Sequence, residues 1–167
     1  MSVPSIVDTR QYLTFQLDDE VFALDVSRVR EILEFSTMTK VPKTPGYMRG
    51  VINPRGSVVP VFDMRLKFDL ARAEKTVDTC IVVVETENAI IGALVDSVRE
   101  VVELEPEQIE AAPKIGIGLR MDFVRGMGKK GDSFIIILDI NRVFSSEELS
   151  LEREIEEEKE VLKAVND

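Results

Sequence analysis

Val29-Arg30-Glu31-Ile32-Leu33-Glu34 returns 69 residues later as Val98-Arg99-Glu100-Val101-Val102-Glu103, with four of six positions identical and two apolar in both. Just upstream, at the same spacing, Val21-Phe22-Ala23-Leu24 faces Ile90-Ile91-Gly92-Ala93. A second block, Tyr47-Met48-Arg49-Gly50-Val51, returns 76 residues later as Phe123-Val124-Arg125-Gly126-Met127. At that spacing Val58 to Met64 overlies Phe134 to Ile140, and each strand-like run ends on an aspartate, Asp63 or Asp139. Two blocks in the same order, with offsets that differ by seven, describe a duplication with a short insertion at about Lys114 to Asp122. The copies span 11–70 and 76–144, and a tail of different character occupies 145–167.

Within each copy the pattern is β. Tyr12 to Leu17 is rich in strand formers, Asp18-Asp19-Glu20 turns the chain, and Val21 to Val26 returns. Thr79 to Glu85, a turn near Glu87-Asn88, and Ala89 to Val95 repeat that hairpin. Val29 to Phe35 fits a short helix or a strand by spacing; its Ile, Val and Phe content favours strand. A further hairpin turns at Asn53-Pro54-Arg55-Gly56 in the first copy and at Lys129-Lys130-Gly131-Asp132 in the second. Thr44 to Met48 is expected to form one helical turn. About five short strands per copy are expected to close into a small barrel, because closure removes exposed edges. The fold class is therefore mainly β, with two five-stranded barrel lobes related by duplication. A serine followed by Glu147-Glu148 reads as a helix N-cap, so Glu147 to Val165 is expected to be a C-terminal helix.

Composition narrows the chemistry. The chain contains no histidine and one cysteine, so serine–histidine and cysteine–histidine catalysis are excluded. Cys80 begins an apolar run and reads as a small buried hydrophobe. One thiol makes neither an intramolecular disulfide nor a zinc site, and the acidic residues lack EF-hand spacing. Gly126 to Ser133 is glycine- and lysine-rich but lacks phosphate-loop spacing and leads into an apolar strand, so it reads as a hairpin turn. Neither a catalytic residue, a cofactor site nor a metal site is expected. Residues 145–167 hold nine acidic and three basic residues, which carry −6 of the net −10 and leave −4 for the rest. That balance argues against nucleic acid and against direct binding to an anionic membrane as partners. The first eight residues lack the pattern of a signal peptide, and no apolar run is long enough to span a bilayer, so a cytoplasmic chain is expected.

The copies differ most informatively at the hairpin turn. Arg55 in the first copy faces Gly131 in the second, while Glu31 and Glu100 are shared. Either Glu31 and Arg55 bridge and shape the first lobe, or Arg55 reaches a partner with a planar fork that lysine lacks.

The run Val29-Arg30-Glu31-Ile32, then Pro45 to Val51, then Asn53 to Arg65, resembles the central signature of the CheW family of bacterial chemotaxis coupling proteins. Gly92 to Val98 is similar to the family's second hallmark. The resemblance covers about Tyr12 to Leu149; Pro54, where the family usually has leucine, and the acidic tail depart from it. It implies two SH3-like barrels around a shared core and a non-enzymatic adaptor that joins chemoreceptors to a histidine kinase. The implied partners are the kinase's regulatory domain and the membrane-distal cytoplasmic tip of the receptors. It places Glu31, Gly50, Asn53, Arg55 and Gly56 at the kinase-facing or lobe-shaping region. Val29, Gly92, Val95 and Val98 would meet the receptor, with Gly92 and Ala93 making room for a foreign helix. For Gly92 the residues alone equally fit relief of crowding at a barrel bend. A CheW-like module of a larger protein, receiver-linked or within the kinase, is the alternative; the chain's start and tail read as those of a stand-alone protein.

Overall fold

The computed structural model describes residues 10–87, 89–111 and 123–144. The expected insertion near 114–122 and the expected helix over 147–165 lie outside the described residues. In chain order the elements are β1 (Arg10–Leu17), β2 (Glu20–Asp25), β3 (Val29–Glu34), β4 (Met48–Ile52), β5 (Val59–Asp63) and α1 (Met64–Lys67). They continue with β6 (Cys80–Glu85), β7 (Ile90–Val95), β8 (Ser97–Leu104), β9 (Ile109–Glu110), β10 (Val124–Lys130), β11 (Ser133–Leu138) and α2 (Ile140–Val143). The ambiguous Val29 segment is a strand. Pro45 to Met48 is a turn closed by Met48 N–H donating to the Pro45 carbonyl, not a helical turn. The last hairpin turns on Gly131 and Asp132 alone, with Lys129 and Lys130 still in β10, because Gly131 takes the positive φ (+61°) that a two-residue turn requires.

The strands form two sheets, ordered β8-β1-β2-β11-β10-β9 and β3-β6-β7-β5-β4. Each sheet takes one hairpin from the other copy: β1–β2 joins strands of the second copy, and β6–β7 joins strands of the first. The sequence units 11–70 and 76–144 are therefore not the sheets, which interlace. The duplication itself is written in the register. Tyr12 pairs with Asp25, and 69 residues on, Ile81 pairs with Leu94. Leu13–Val101 and Phe15–Val98 correspond to Val82–Ile32 and Val84–Val29, with a register slip at the same place in both. The β4–β5 slip between Met48 and Gly50 recurs between Val124 and Gly126. Even the parallel junctions correspond, Val61 with Gly92 and Ile137 with Ala23.

The expected closed barrels are corrected to open, curled sheets. Between β3 and β4 no ladder forms; only Thr39 and Val51 exchange a pair of backbone hydrogen bonds, at 3.0 and 2.8 Å. Each curled sheet still encloses its own small apolar interior. Tyr12, Ala23, Val102, Leu104, Ile135 and Ile137 fill the first, and Val61, Ile81, Val83 and Leu94 the second. Alternate residues of the same strands point the other way and meet in one large core between the sheets. Phe15, Phe22, Phe68 and Phe123 run through that core with ring centroids 5.5 to 5.9 Å apart.

Asp63 and Asp139 have the same structural task. Each caps the single turn of helix that follows its strand, accepting from the N–H of Arg65 or Asn141. The repeat of these carboxylates is thus architectural.

Candidate functional site

On the outer strand β3, Glu31 turns its carboxylate towards the β4–β5 loop. Arg55 meets it with a two-pronged contact: Nε donates to Oε2 at 3.1 Å and Nη2 to Oε1 at 3.0 Å. The Arg55 side chain is 76% exposed and that of Glu31 23%. The hydrogen bond from Arg55 holds the Glu31 carboxyl below its ordinary range. In the second copy Glu100 instead takes one lysine contact, from Lys130 Nζ at 3.4 Å. The bidentate fork is a property of the first copy.

The loop behind Arg55 is held by glycine geometry. Gly56 has φ +86°, and Gly50 has φ +149° where a side chain would place Cβ 2.6 Å from the Thr39 carbonyl oxygen. That close approach is what permits the Thr39–Val51 bridge. Asn53 and Pro54, just before Arg55, line an open groove of about 560 Å³ with Leu33, Glu34 and Ser36.

The second set of expected site residues divides. Val29 and Val98 are half-buried and pack at the border of the central core, as equivalent residues on different sheets. Gly92, Ala93 and Val95 are interior. A Cβ on Gly92 would stand 2.9 Å from Ile81 Cγ2 and 3.2 Å from Val61 Cγ2. The expectation that Gly92 and Ala93 make room for a foreign helix is therefore corrected. Gly92 makes room for the strands beside it, where β5 and β7 run parallel, and the surface at this place is left to Val98.

An inter-sheet clamp escaped the sequence reading. Arg65, just after β5, gives Nε and Nη2 to the two oxygens of Asp96, both at 2.8 Å, and Nη1 to the Ala71 carbonyl at 3.0 Å. Asp96 lies where the chain crosses from β7 in one sheet to β8 in the other. It also accepts the Asp18 backbone N–H at 2.8 Å, from the β1–β2 turn. Burial pushes the Asp96 carboxyl up, but the Arg65 and Asp18 hydrogen bonds and the Arg65 charge outweigh it and hold it below the usual value. A carboxyl depressed in the folded state adds stability above the ordinary aspartate range, and loses it as pH falls from there through the lower folded value. Asp96→Asn should cost about 1–3 kcal/mol at neutral pH, as for other hydrogen bonds to charged groups. Urea unfolding of both proteins at neutral pH and at about pH 2 checks this: the gap should narrow in acid. A constant gap would assign the loss to packing.

No group of three or more metal-ligating side chains occurs among the described residues. Cys80 is buried, and burial raises its thiol further from the reactive thiolate. No described helix is long and apolar enough to cross a membrane.

Interlaced duplicate sheets that present an exposed, ion-paired loop are the architecture of a two-sheet β module. A family model described as the CheW-like domain matches residues 11–148, and the chain belongs to that family. The chain is 33% identical over 142 residues to the chemotaxis protein CheW of Klebsiella aerogenes, covering 85% of this chain and 86% of the relative. It is 29% identical over 153 residues to that of Treponema pallidum, covering 88% and 90%. Among solved structures it is similar to the scaffolding protein TtCheW of Thermoanaerobacter tengcongensis, with a TM-score of 0.77 and 32% identity over 83% of this chain and 94% of that one. The family supplies chemotaxis scaffolds and adaptors, not enzymes, and the chain is a non-enzymatic member of it.

Proposed function

We propose that this chain is a cytoplasmic adaptor that couples chemoreceptors to the chemotaxis histidine kinase and is recruited with them to membrane-associated arrays. The observation that carries the reading is the exposed bidentate Glu31–Arg55 pair on a glycine-shaped loop. A guanidinium 76% exposed and already oriented by a carboxylate is a poor stabiliser and a good contact point. In this reading Glu31, Gly50, Asn53, Arg55 and Gly56 form the kinase-facing region, with Gly50 and Gly56 setting the loop. Val29 and Val98 offer the apolar surface to the receptor tip, while Gly92 and Val95 act from the interior by fixing the strand that leads to Val98.

The test uses full-length chain, purified receptor and kinase. Arg55→Ala should melt like the wild type yet weaken kinase activation in the reconstituted assembly. Val98→Glu should lower binding to the receptor tip and leave kinase binding in place, with circular dichroism to establish folding. Full activation by folded Arg55→Ala would remove the loop from the coupling surface. Unchanged receptor affinity in folded Val98→Glu would remove Val98 in the same way.

A further inference from the structure

The duplication gives each sheet the same structural position at the end of its parallel junction, and the two copies fill it differently. In the first, Arg49 closes on Asp63 at 3.1 Å and Arg65 on Asp96 at 2.8 Å. Ala73, Glu74 and Lys75 of the following segment lie over it, so the remaining cavity is only about 30 Å³. By the offsets of 76 and 69, the corresponding residues in the other sheet are Arg125, Asp139, Asn141 and Ser27. The second ion pair has been replaced by an amide and a hydroxyl. What opens there is a polar pocket of about 340 Å³, lined by Arg10, Arg28 and Arg125 among others.

Its charges do not balance. Arg10 is paired with Asp25 at 3.1 Å, and Asp139 lies 3.6 Å from Arg142 while capping α2. Burial raises the Asp25 carboxyl, but bonds from Ser27 and Arg10 outweigh it and keep the acid below its usual range, so its charge is committed to them. Arg28, half-buried at the end of the turn after β2, and Arg125, exposed on β10, have no ion pair among the described residues. Two unmatched guanidiniums face one polar cavity on a chain whose net charge is −10.

Over the first pocket lies the segment that follows α1. The segment that follows α2 is the acidic one: the offset of 76 carries residues 70–79 onto 146–155, which include Glu147, Glu148, Glu152 and Glu154. We propose that the pocket of Arg28 and Arg125 binds carboxylates of an acidic peptide, and that this peptide is the chain's own segment beginning at Ser145. Charge complementarity supplies the attraction, and attachment a few residues from the pocket wall supplies a high effective concentration. The inference is independent of the kinase and the receptor.

The experiment is a fluorescence-anisotropy titration at low salt with a labelled synthetic peptide of residues 145–167. The receiving proteins are the full-length chain and a full-length variant with the nine acidic residues of 145–167 changed to their amides. The peptide should bind the neutralised variant about tenfold more tightly than the wild type, whose own segment competes. In the neutralised background, Arg28→Ala with Arg125→Ala should weaken binding about tenfold or more, and added salt should do the same. Lys40→Ala with Arg72→Ala removes equal charge elsewhere and should leave binding as it was. Should the double arginine variant not fold, Arg125→Ala alone, at an exposed position, should still weaken binding severalfold. Equal binding to the arginine variant and its parent, or equal losses in the control, would overturn the site. Equal peptide affinity of the wild-type and neutralised chains would overturn the assignment to the chain's own segment.

Discussion

Phe62→Ala should lower the free energy of unfolding by about 3–5 kcal/mol, as large-to-small changes of buried aromatics do. Phe62 is 1% exposed and sits on β5, the strand that both joins the first copy's hairpin and runs parallel to β7. Its ring packs against Phe144 at 4.9 Å and Tyr47 at 6.0 Å. The central core is held by these contacts from both sides, so the cavity cannot collapse by moving one loop. Urea unfolding monitored by circular dichroism reads the change, with Val77→Ala at a fully exposed position as the reference for no effect. A loss below about 1 kcal/mol would mean that the region relaxes around the gap and that Phe62 is not central.

Gly50→Ala should be the most damaging small substitution in the first copy, at on the order of 2 kcal/mol or more. Both terms act together: φ +149° is unfavourable for any side chain, and the new Cβ would meet the Thr39 carbonyl oxygen at 2.6 Å. A backbone oxygen already bonded to Val51 cannot swing aside as a side-chain terminus can. Gly46→Ala, where no atom lies within 4 Å, is the matched comparison. Thermal melts of the two variants should separate clearly. Coincident melts would show that the Thr39–Val51 bridge is dispensable. Where the melts do separate, partner binding that falls with Gly50→Ala would reflect the loop's geometry, not a contact made by Gly50.

Much of the fold was legible because duplication is a statement about register. The offset of 69 that aligns Val29 with Val98 also aligns the Tyr12–Asp25 pair with Ile81–Leu94. What the sequence could not assign was which hairpin enters which sheet. β3 and β8 carry nearly the same residues, so by pattern β1 pairs as well with one as with the other. The choice of β8 for β1 and β3 for β6 is made by chain crossing, at positions such as Asp96. For the same reason the clamp of Arg65, Asp96 and Asp18 left no local signal: Arg65 lies in α1, Asp96 between β7 and β8 and Asp18 in the β1–β2 turn, and they converge only through the exchange. Gly92 stayed open between two readings because a glycine in a strand looks alike from either side. Only the positions of Ile81 and Val61 show that it faces the interior. The Glu31–Arg55 contact was within reach because the copies supplied an internal comparison, Arg55 against Gly131, around a shared glutamate.

Co-sedimentation with receptor-bearing membranes tests the adaptor reading most directly. Purified histidine kinase is mixed with the membranes in the presence or absence of this chain, and the kinase in the pellet is measured. The account predicts that kinase and chain pellet together, that the kinase stays in solution without the chain, and that Arg55→Ala reduces the kinase in the pellet while the variant chain itself still pellets. Kinase that remains in the supernatant with a folded chain present, or that pellets equally without it, would contradict a coupling role.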